Sequence, residues 1–303
     1  MNTPVLLIIF NRFDTTVQVI EKLREVGVQK LYIYCDGGRE VKKGEKEELQ
    51  LVQSKVINEI NWSCEVKTNF RDLNEGPRLA IGHAVSWFFD FEEEGIILEH
   101  DCVPNSSFFS FCEQMLAHYR HNDRVMHISG DNFQFGPKYG DGSYYFSRIT
   151  HIWGWATWKR AWKQYDVHLK SFPEFVAQGK INSMIPYKSG RKYWLNILQA
   201  CYEGKVESWD YQWNYVLLNL DGLSILPNVN LVSNVGFDSL ALNTTNPGHK
   251  TARMRTELIG SVVHPKEIVI QHKADKRTIR SIVNPSVFRY FLDKLLDYFK
   301  IRF

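Results

Sequence analysis

The chain has 303 residues, 44% of them hydrophobic and 23% charged, which suits one large or two ordinary globular domains and excludes a disordered chain. Its 37 basic and 34 acidic side chains leave a net charge of +3, too balanced for a nucleic-acid partner. No apolar run approaches the ~20 residues of a membrane-spanning helix.

Residues 5–10 form a continuous apolar run, the pattern of a strand buried on both faces of a parallel sheet. No basic residue precedes the run and no small-residue cleavage site follows it, so it reads as a strand rather than a signal peptide. Asp14 is then placed to cap a helix whose apolar positions Val17, Ile20, Leu23 and Val26 recur at helical spacing, closed by Gly27. A second strand over 30–35 ends at Asp36-Gly37-Gly38. The charged stretch 40–48 leads into a helix through Leu51, Val52, Val56 and Ile60. Residues 64–68 read as a third strand and 76–91 as a helix, and the short buried strand 95–98 runs straight into Glu99-His100-Asp101. Strands alternating with helices predict right-handed β-α-β units, with ligands at the carboxyl ends of the strands. Arg12, Asp36 and Asp101 all fall at such ends, so three charged groups point to one site.

A helix is expected over 108–119, and beyond residue 125 the pattern loses regularity. A strand is expected over 125–129, a loop over 131–142, and helices opening at Trp153 and covering 193–203 and 210–220. Residues 227–250 read mostly as loop. The five cysteines (35, 64, 102, 112 and 201) are odd in number and lack a C-x-x-C pair, which argues against a disulfide framework or zinc knuckle and for a reducing cytoplasm.

The strongest chemical signal is Glu99-His100-Asp101 after a buried strand. Side chains alternate along a strand, so its two carboxylates point roughly the same way. Such hard oxygen donors suit Mg²⁺ or Mn²⁺ bridged to phosphate oxygens; a solvated turn with a capping Asp would carry the same triplet. With 10–14 (Phe-Asn-Arg-Phe-Asp), 34–38 (Tyr-Cys-Asp-Gly-Gly), 99–109, 153–158 (Trp-Gly-Trp-Ala-Thr-Trp) and 208–213 (Ser-Trp-Asp-Tyr-Gln-Trp), the chain resembles nucleotide-sugar-dependent glycosyltransferases of the GT-A fold. Among these it is most similar to the group around the β-1,2-N-acetylglucosaminyltransferase I that acts on mannose, including bacterial transferases often labelled hemolysin-like.

The resemblance implies an α/β, Rossmann-like nucleotide-diphospho-sugar transferase fold, with a mostly parallel central sheet flanked by helices. It implies Arg12 on the nucleotide, Asp36 on uracil or ribose, Asp101 on the metal, and Glu99 on metal-bound water or ribose. Asp210 is the implied catalytic base. His100 stands where the group usually has Asp, and Asn243 where many relatives place His in a loop that begins Asn234-Val-Gly-Phe. The implied activity is inverting sugar transfer, with UDP-GlcNAc the leading donor, onto a glycan or lipid-linked saccharide of a bacterial surface polysaccharide.

On residues alone, Asp210 stands at a helix start between Trp209 and Trp213. Apolar walls raise its pKa and the helix N-terminus lowers it; a plain helix-start acid would look the same. Trp155, Trp158 and Trp162 have the spacing of a buried helix face. Trp158 and Trp162 are assigned to the core, while Trp153-Gly154-Trp155 and Trp209 are assigned to the donor sugar, whose C–H faces pack on rings. Arg78 is placed to reach the diphosphate, with a surface arginine as the alternative. Asp131 and Asn132 begin a loop suited to an acceptor or to a turn. The expected domains are a catalytic one over 1–250 and an extension over 251–303. The last 18 residues of that extension form a basic amphipathic helix fit for an anionic membrane at the inner face, or for packing on protein. A sugar-1-phosphate nucleotidyltransferase is the enzyme alternative, although 11–16 lacks the glycines its phosphate loop would need. A sugar-binding or membrane-associated interaction protein is the non-enzymatic one.

Overall fold

The computed structural model describes residues 1–237 and 250–280. Its first half alternates strand and helix: β1 (Val5–Ile9), α1 (Phe13–Glu25), β2 (Lys30–Cys35), α2 (Glu45–Glu59), β3 (Glu65–Phe70), α3 (Pro77–Phe91) and β4 (Glu94–Glu99). All five residues of β1 and the last five of β2 are buried, which is why these strands read as apolar runs without alternation. Helix α1 starts one residue before the expected cap. Arg12 holds the cap position, and Asp14 lies in the first turn, where its charge suits the helix dipole. Gly27, at φ +63°, ends the helix as expected. Leu51 is exposed, and α2 buries Leu49, Val52 and Val56 instead.

The chain continues through β5 (Cys102–Pro104), α4 (Ser106–Tyr119), β6 (Val125–Ser129), β7 (Tyr144–Ser147), β8 (Trp155–Trp158) and α5 (Lys159–Trp162). Then come α6 (Phe172–Ala177), α7 (Ile181–Met184), α8 (Lys188–Tyr202), α9 (Asp210–Asn219), β9 (Leu223–Pro227), β10 (Val232–Asn234) and α10 (His272–Thr278). Eight strands form one sheet in the order β3-β2-β1-β4-β8-β6-β9-β7. The β3-β2-β1-β4 half is parallel, β8 runs antiparallel to both β4 and β6, β6 and β9 are parallel, and β7 is an antiparallel edge. The expected fold class, a mostly parallel α/β sheet flanked by helices, is the one observed. Two apolar layers cover its faces, one led by α1, α2 and α4, the other by α3, α5 and α9.

The 153–158 stretch is not the start of a helix. Residues 155–158 are a strand with all four side chains buried, and a single helical turn follows. Among the described residues no helix is long and apolar enough to cross a membrane. Residues 250–280 lie along the domain: Glu257 N donates to Asn230 O at 2.8 Å, and the buried Asp275 accepts from Ser147 Oγ at 2.6 Å. The amphipathic stretch expected at the C-terminus lies outside the described residues.

Candidate active site

The carboxyl ends of β1, β2 and β4 lie side by side because their strands are neighbours in the sheet. At the tip of β1, the Arg12 carbonyl accepts from Thr16 N at 3.2 Å and starts α1. Its buried guanidinium donates to Gly236 O at 3.4 Å and so joins the first strand to a stretch far down the chain. At the tip of β2, Asp36 Oδ2 accepts from Asn74 Nδ2 (2.8 Å), Glu75 N (3.1 Å) and Gly76 N (3.0 Å), and Oδ1 also accepts from Glu75 N. Burial raises this carboxyl's pKa, with the backbone donors opposing. Asp36, expected to hold uracil or ribose, also anchors the loop before α3. That loop ends in Gly76, at φ +74°, and Pro77, which open the helix.

Strand β4 delivers Glu99, His100 and Asp101, and β10 then holds the turn. Cys102, Val103 and Pro104 pair antiparallel with Asn234, Ser233 and Val232, and Val235 N donates to Asp101 O at 2.9 Å. Gly236 packs so closely on the Asp101 carboxylate that a Cβ there would collide with it. The role of the loop from Asn234 is therefore visible as far as Phe237: it clamps the acid turn. The remainder of that loop, with Asn243, lies outside the described residues.

Burial, then the charge of Asp101, then that of Asp210 push the Glu99 carboxyl up to about 8. Asp210 is thereby brought within electrostatic reach of the strand-tip acids. Burial also lowers the His100 pKa, with Asp101 and Asp14 opposing and Arg12 acting in the same direction as burial. Carboxylate oxygens are hard donors of the kind that fits Mg²⁺ or Mn²⁺. Among the described residues no group of three His, Cys, Asp or Glu is arranged to hold one unaided. Water and phosphate oxygens would complete the shell around Asp101.

Asp210 is the first residue of α9. Burial raises its pKa, while the hydroxyl of Ser208, which donates to Oδ1, and the helix-start N–H groups pull it back. Arg78, two residues into α3, donates to Val167 O at 3.4 Å, and its guanidinium also lies beside Gly204. Asp210 opens onto a cavity of about 260 Å³ walled by Trp153, Tyr193, Trp194, Tyr211, His151 and Asn214 among others. A larger cavity, about 350 Å³, lies along β7 and is lined by none of the expected site residues.

Three expected donor contacts are corrected. Trp155 has no exposed surface and Trp209 only 3%. The two rings stack at 5.3 Å between sheet and helices, and Trp155 also stacks on His127 at 5.2 Å, so both are core residues like Trp158 and Trp162. Gly154 answers a backbone demand: its φ is +64°, and a Cβ would press on Val232, Leu98 and Phe108. Trp153 alone of that trio reaches a cavity, edge-on to Phe133 and Phe237. Asp131 is wholly buried at the start of the loop after β6 and accepts from Trp153 N at 3.2 Å, so it holds the backbone of a cavity residue. The cavity residues His151, Tyr193, Trp194, Tyr211 and Asn214 were not expected. The only sequence signal for them was the aromatic pairing at 193–194 and beside Asp210.

The chain matches no model of a known protein family and no curated protein. Solved structures give distant likenesses. HddC from Yersinia pseudotuberculosis shares 14% identity at a TM-score of 0.35, over 57% of this chain and 86% of that one. A cytidylyltransferase from Leptospira borgpetersenii shares 10% at 0.33, over 55% and 64%. UDP-glucose pyrophosphorylase complexed with UDP-glucose shares 11% at 0.27, over 46% and 62%. The last two are nucleotidyltransferases by name. At these TM-scores the likeness carries no argument for either activity.

Proposed function

We propose that this chain transfers a sugar from a nucleotide donor, with UDP-GlcNAc the leading candidate, to a hydroxyl acceptor with inversion. In this reading Asp101 holds Mn²⁺ or Mg²⁺. Arg12, Glu99, His100 and Oδ1 of Asp36 lie around the nucleotide, and Arg78 lies at the diphosphate. The bound ion would offset the charge of the departing nucleoside diphosphate. Asp210 would take the proton of the acceptor hydroxyl from the face opposite the leaving group. The observation that carries the reading is that one carboxylate, Asp210, is shared by two surroundings: it acts on the charge of Glu99 and it stands in the wall of an aromatic cavity.

The same observation weighs against nucleotidyl transfer. A sugar 1-phosphate arrives already ionised and needs no base, and a carboxylate in a cavity that no lysine or arginine among the described residues lines would repel it. The absence of glycine from 10–16 after β1 agrees.

The test combines binding and turnover. UDP with Mn²⁺ should stabilise the protein against heat, and Asp101→Ala should abolish that shift. Asp210→Asn should keep donor binding and lose roughly 10²–10⁴-fold in transfer. Near-normal turnover in Asp210→Asn, or retention at the anomeric carbon, would remove the base assignment. Release of pyrophosphate from a nucleoside triphosphate and a sugar 1-phosphate would replace the whole reading by nucleotidyl transfer.

A further inference from the structure

The net charge of the chain is only +3, yet its cations are unevenly spread. Helix α8 carries Lys188, Arg191 and Lys192, and the stretch from His272 to Arg280 carries Lys273, Lys276, Arg277 and Arg280. These two stretches contain no glutamate and a single aspartate, Asp275, which is turned inward onto Ser147 and Arg148. The cations of the second stretch recur at spacings of three and four, opposite the buried Ala274, Asp275, Thr278 and Ile279, and all of them are exposed. The two elements meet: Ile279 packs in one cluster with Trp194 and Leu198, and Lys276 Nζ lies 6.0 Å from the ring of Tyr187, the residue that precedes α8.

Elsewhere on the surface cations are matched by acids, as in Lys22–Glu25, Lys30–Glu92 and Lys159–Glu93. Among the described residues Lys188, Lys192, Lys273, Lys276 and Arg280 have no carboxylate in salt-bridge reach. Asp141 and Glu267 bound the basic face beyond Gln271, ahead of α10, and Glu203, past the far end of α8, is taken by Lys205. Like charges kept together without counter-charges repel one another, so the face fits an anionic partner.

A third stretch adds an apolar tip. Phe135 is 41% exposed at a φ of +51°, a left-handed backbone that a bulky side chain enters at a cost, so neither burial nor backbone preference accounts for it. Its ring lies 4.8 Å from Lys250 Nζ, and the carbonyl of Gln134 accepts from Arg277 Nε at 3.0 Å, which joins the tip to the basic face. An exposed ring flanked by long amines suits a bilayer surface: the ring enters the headgroup layer and the amines stay at the phosphates. Lysines also outnumber arginines here, giving point charges on flexible stems rather than the bidentate forks of a discrete phosphate site. The cations stand outside the neighbouring cavity. Thr251 and Thr278 line it, next in sequence to Lys250 and Arg277, but no lysine or arginine among the described residues does.

We infer that this face docks on an anionic lipid bilayer, with Phe135 entering the interface and Lys188, Lys192 and Lys276 among the cations that hold it there. The face is distinct from the last 18 residues, and Arg280, the last described residue, leads from it towards them. The inference requires neither sugar transfer nor nucleotide binding.

The test is co-sedimentation of the full chain with vesicles of phosphatidylcholine, alone or mixed with phosphatidylglycerol. Wild type should bind the anionic vesicles and leave them at high salt. Each cation at such a surface is worth about fivefold in affinity, so Lys188→Gln, Lys192→Gln and Lys276→Gln together should lose roughly a hundredfold. Phe135→Ser should lose about fivefold or more. The same loss of charge at Lys43→Gln, Lys46→Gln and Lys55→Gln, in and before α2, should leave affinity nearly unchanged. Heat stabilisation by UDP and Mn²⁺ should be the same in all of these variants.

The inference is overturned if wild type does not distinguish the two vesicles, if the folded triple variant of the basic face binds like wild type, or if the α2 control loses as much. Dextran sulfate bound through the same cations, with vesicle affinity unmoved by Phe135→Ser, would make the partner a soluble polyanion and also overturn it. Vesicle binding with no response to UDP and Mn²⁺ would overturn the transfer reading alone.

Discussion

Replacing Gly236 by alanine separates the site's chemistry from the fold's stability. An added Cβ would stand 2.8 Å from Asp101 Cγ and 3.0 Å from Asp101 Cβ, inside the approach that real Cβ atoms make. The backbone itself tolerates alanine, since Gly236 lies outside the left-handed region. The group that must yield is the Asp101 carboxylate, at a rotamer cost of about 0.5–1.5 kcal/mol. Loss of glycine's freedom in the unfolded chain offsets about 0.4–1 kcal/mol of that, so net stability should move by less than about 1 kcal/mol.

Binding should move further. Disturbed metal sites commonly lose about 10–100-fold in affinity, or roughly 1.4–2.8 kcal/mol. With ligand at a hundred times the wild-type dissociation constant, UDP and Mn²⁺ add about 2.7 kcal/mol to wild type; after a hundredfold loss the same concentration adds about 0.4 kcal/mol. In thermal melts this is a shift of about 5 °C or more shrinking to about 1 °C. Urea unfolding without ligand supplies the control. A Gly236→Ala protein of normal stability that keeps the full wild-type shift would refute the idea that Asp101 is what the nucleotide and metal read.

Asp275 has its carboxyl raised to about 6 by burial, against an unfolded value of 3.8, so the folded state holds a proton that the unfolded state releases. Wild type should therefore lose at most about 3 kcal/mol as pH rises from 3.8 through 6, a slope absent from Asp275→Asn when urea unfolding is followed at pH 4 and 7. Trp155→Ala should cost about 3–5 kcal/mol of stability, as for a core ring. Trp153→Ala should cost about 1 kcal/mol or less. Equal destabilisation by the two tryptophan changes in calorimetry would contradict their assignment to core and cavity.

The parallel half of the sheet was legible because strands covered on both faces leave uninterrupted apolar runs, as in 5–9 and 95–98. The strand-tip charges followed, since a β-α-β chain sends its strand ends to one edge. The same rule hid β8. A strand buried on both faces shows no alternation, and tryptophans 155, 158 and 162 fall at spacings a helix would also produce. Position 36 has a second part that the sequence hides: Asp36 is bound by Asn74, Glu75 and Gly76, whose donors have no signature in the sequence. The cavity was out of reach because residues from six separate segments meet there, and each looks like ordinary core or surface in its own segment.

The pairing of β10 with β5 also sets a schedule for how the molecule matures. The turn carrying Asp101 is fastened by residues more than a hundred positions downstream, so a nascent polypeptide that stops just short of Val232 would own well-made strands and a slack turn at the tip of β4. A premature stop ahead of the downstream strand should thus yield a species that looks folded by circular dichroism and does not respond to nucleotide.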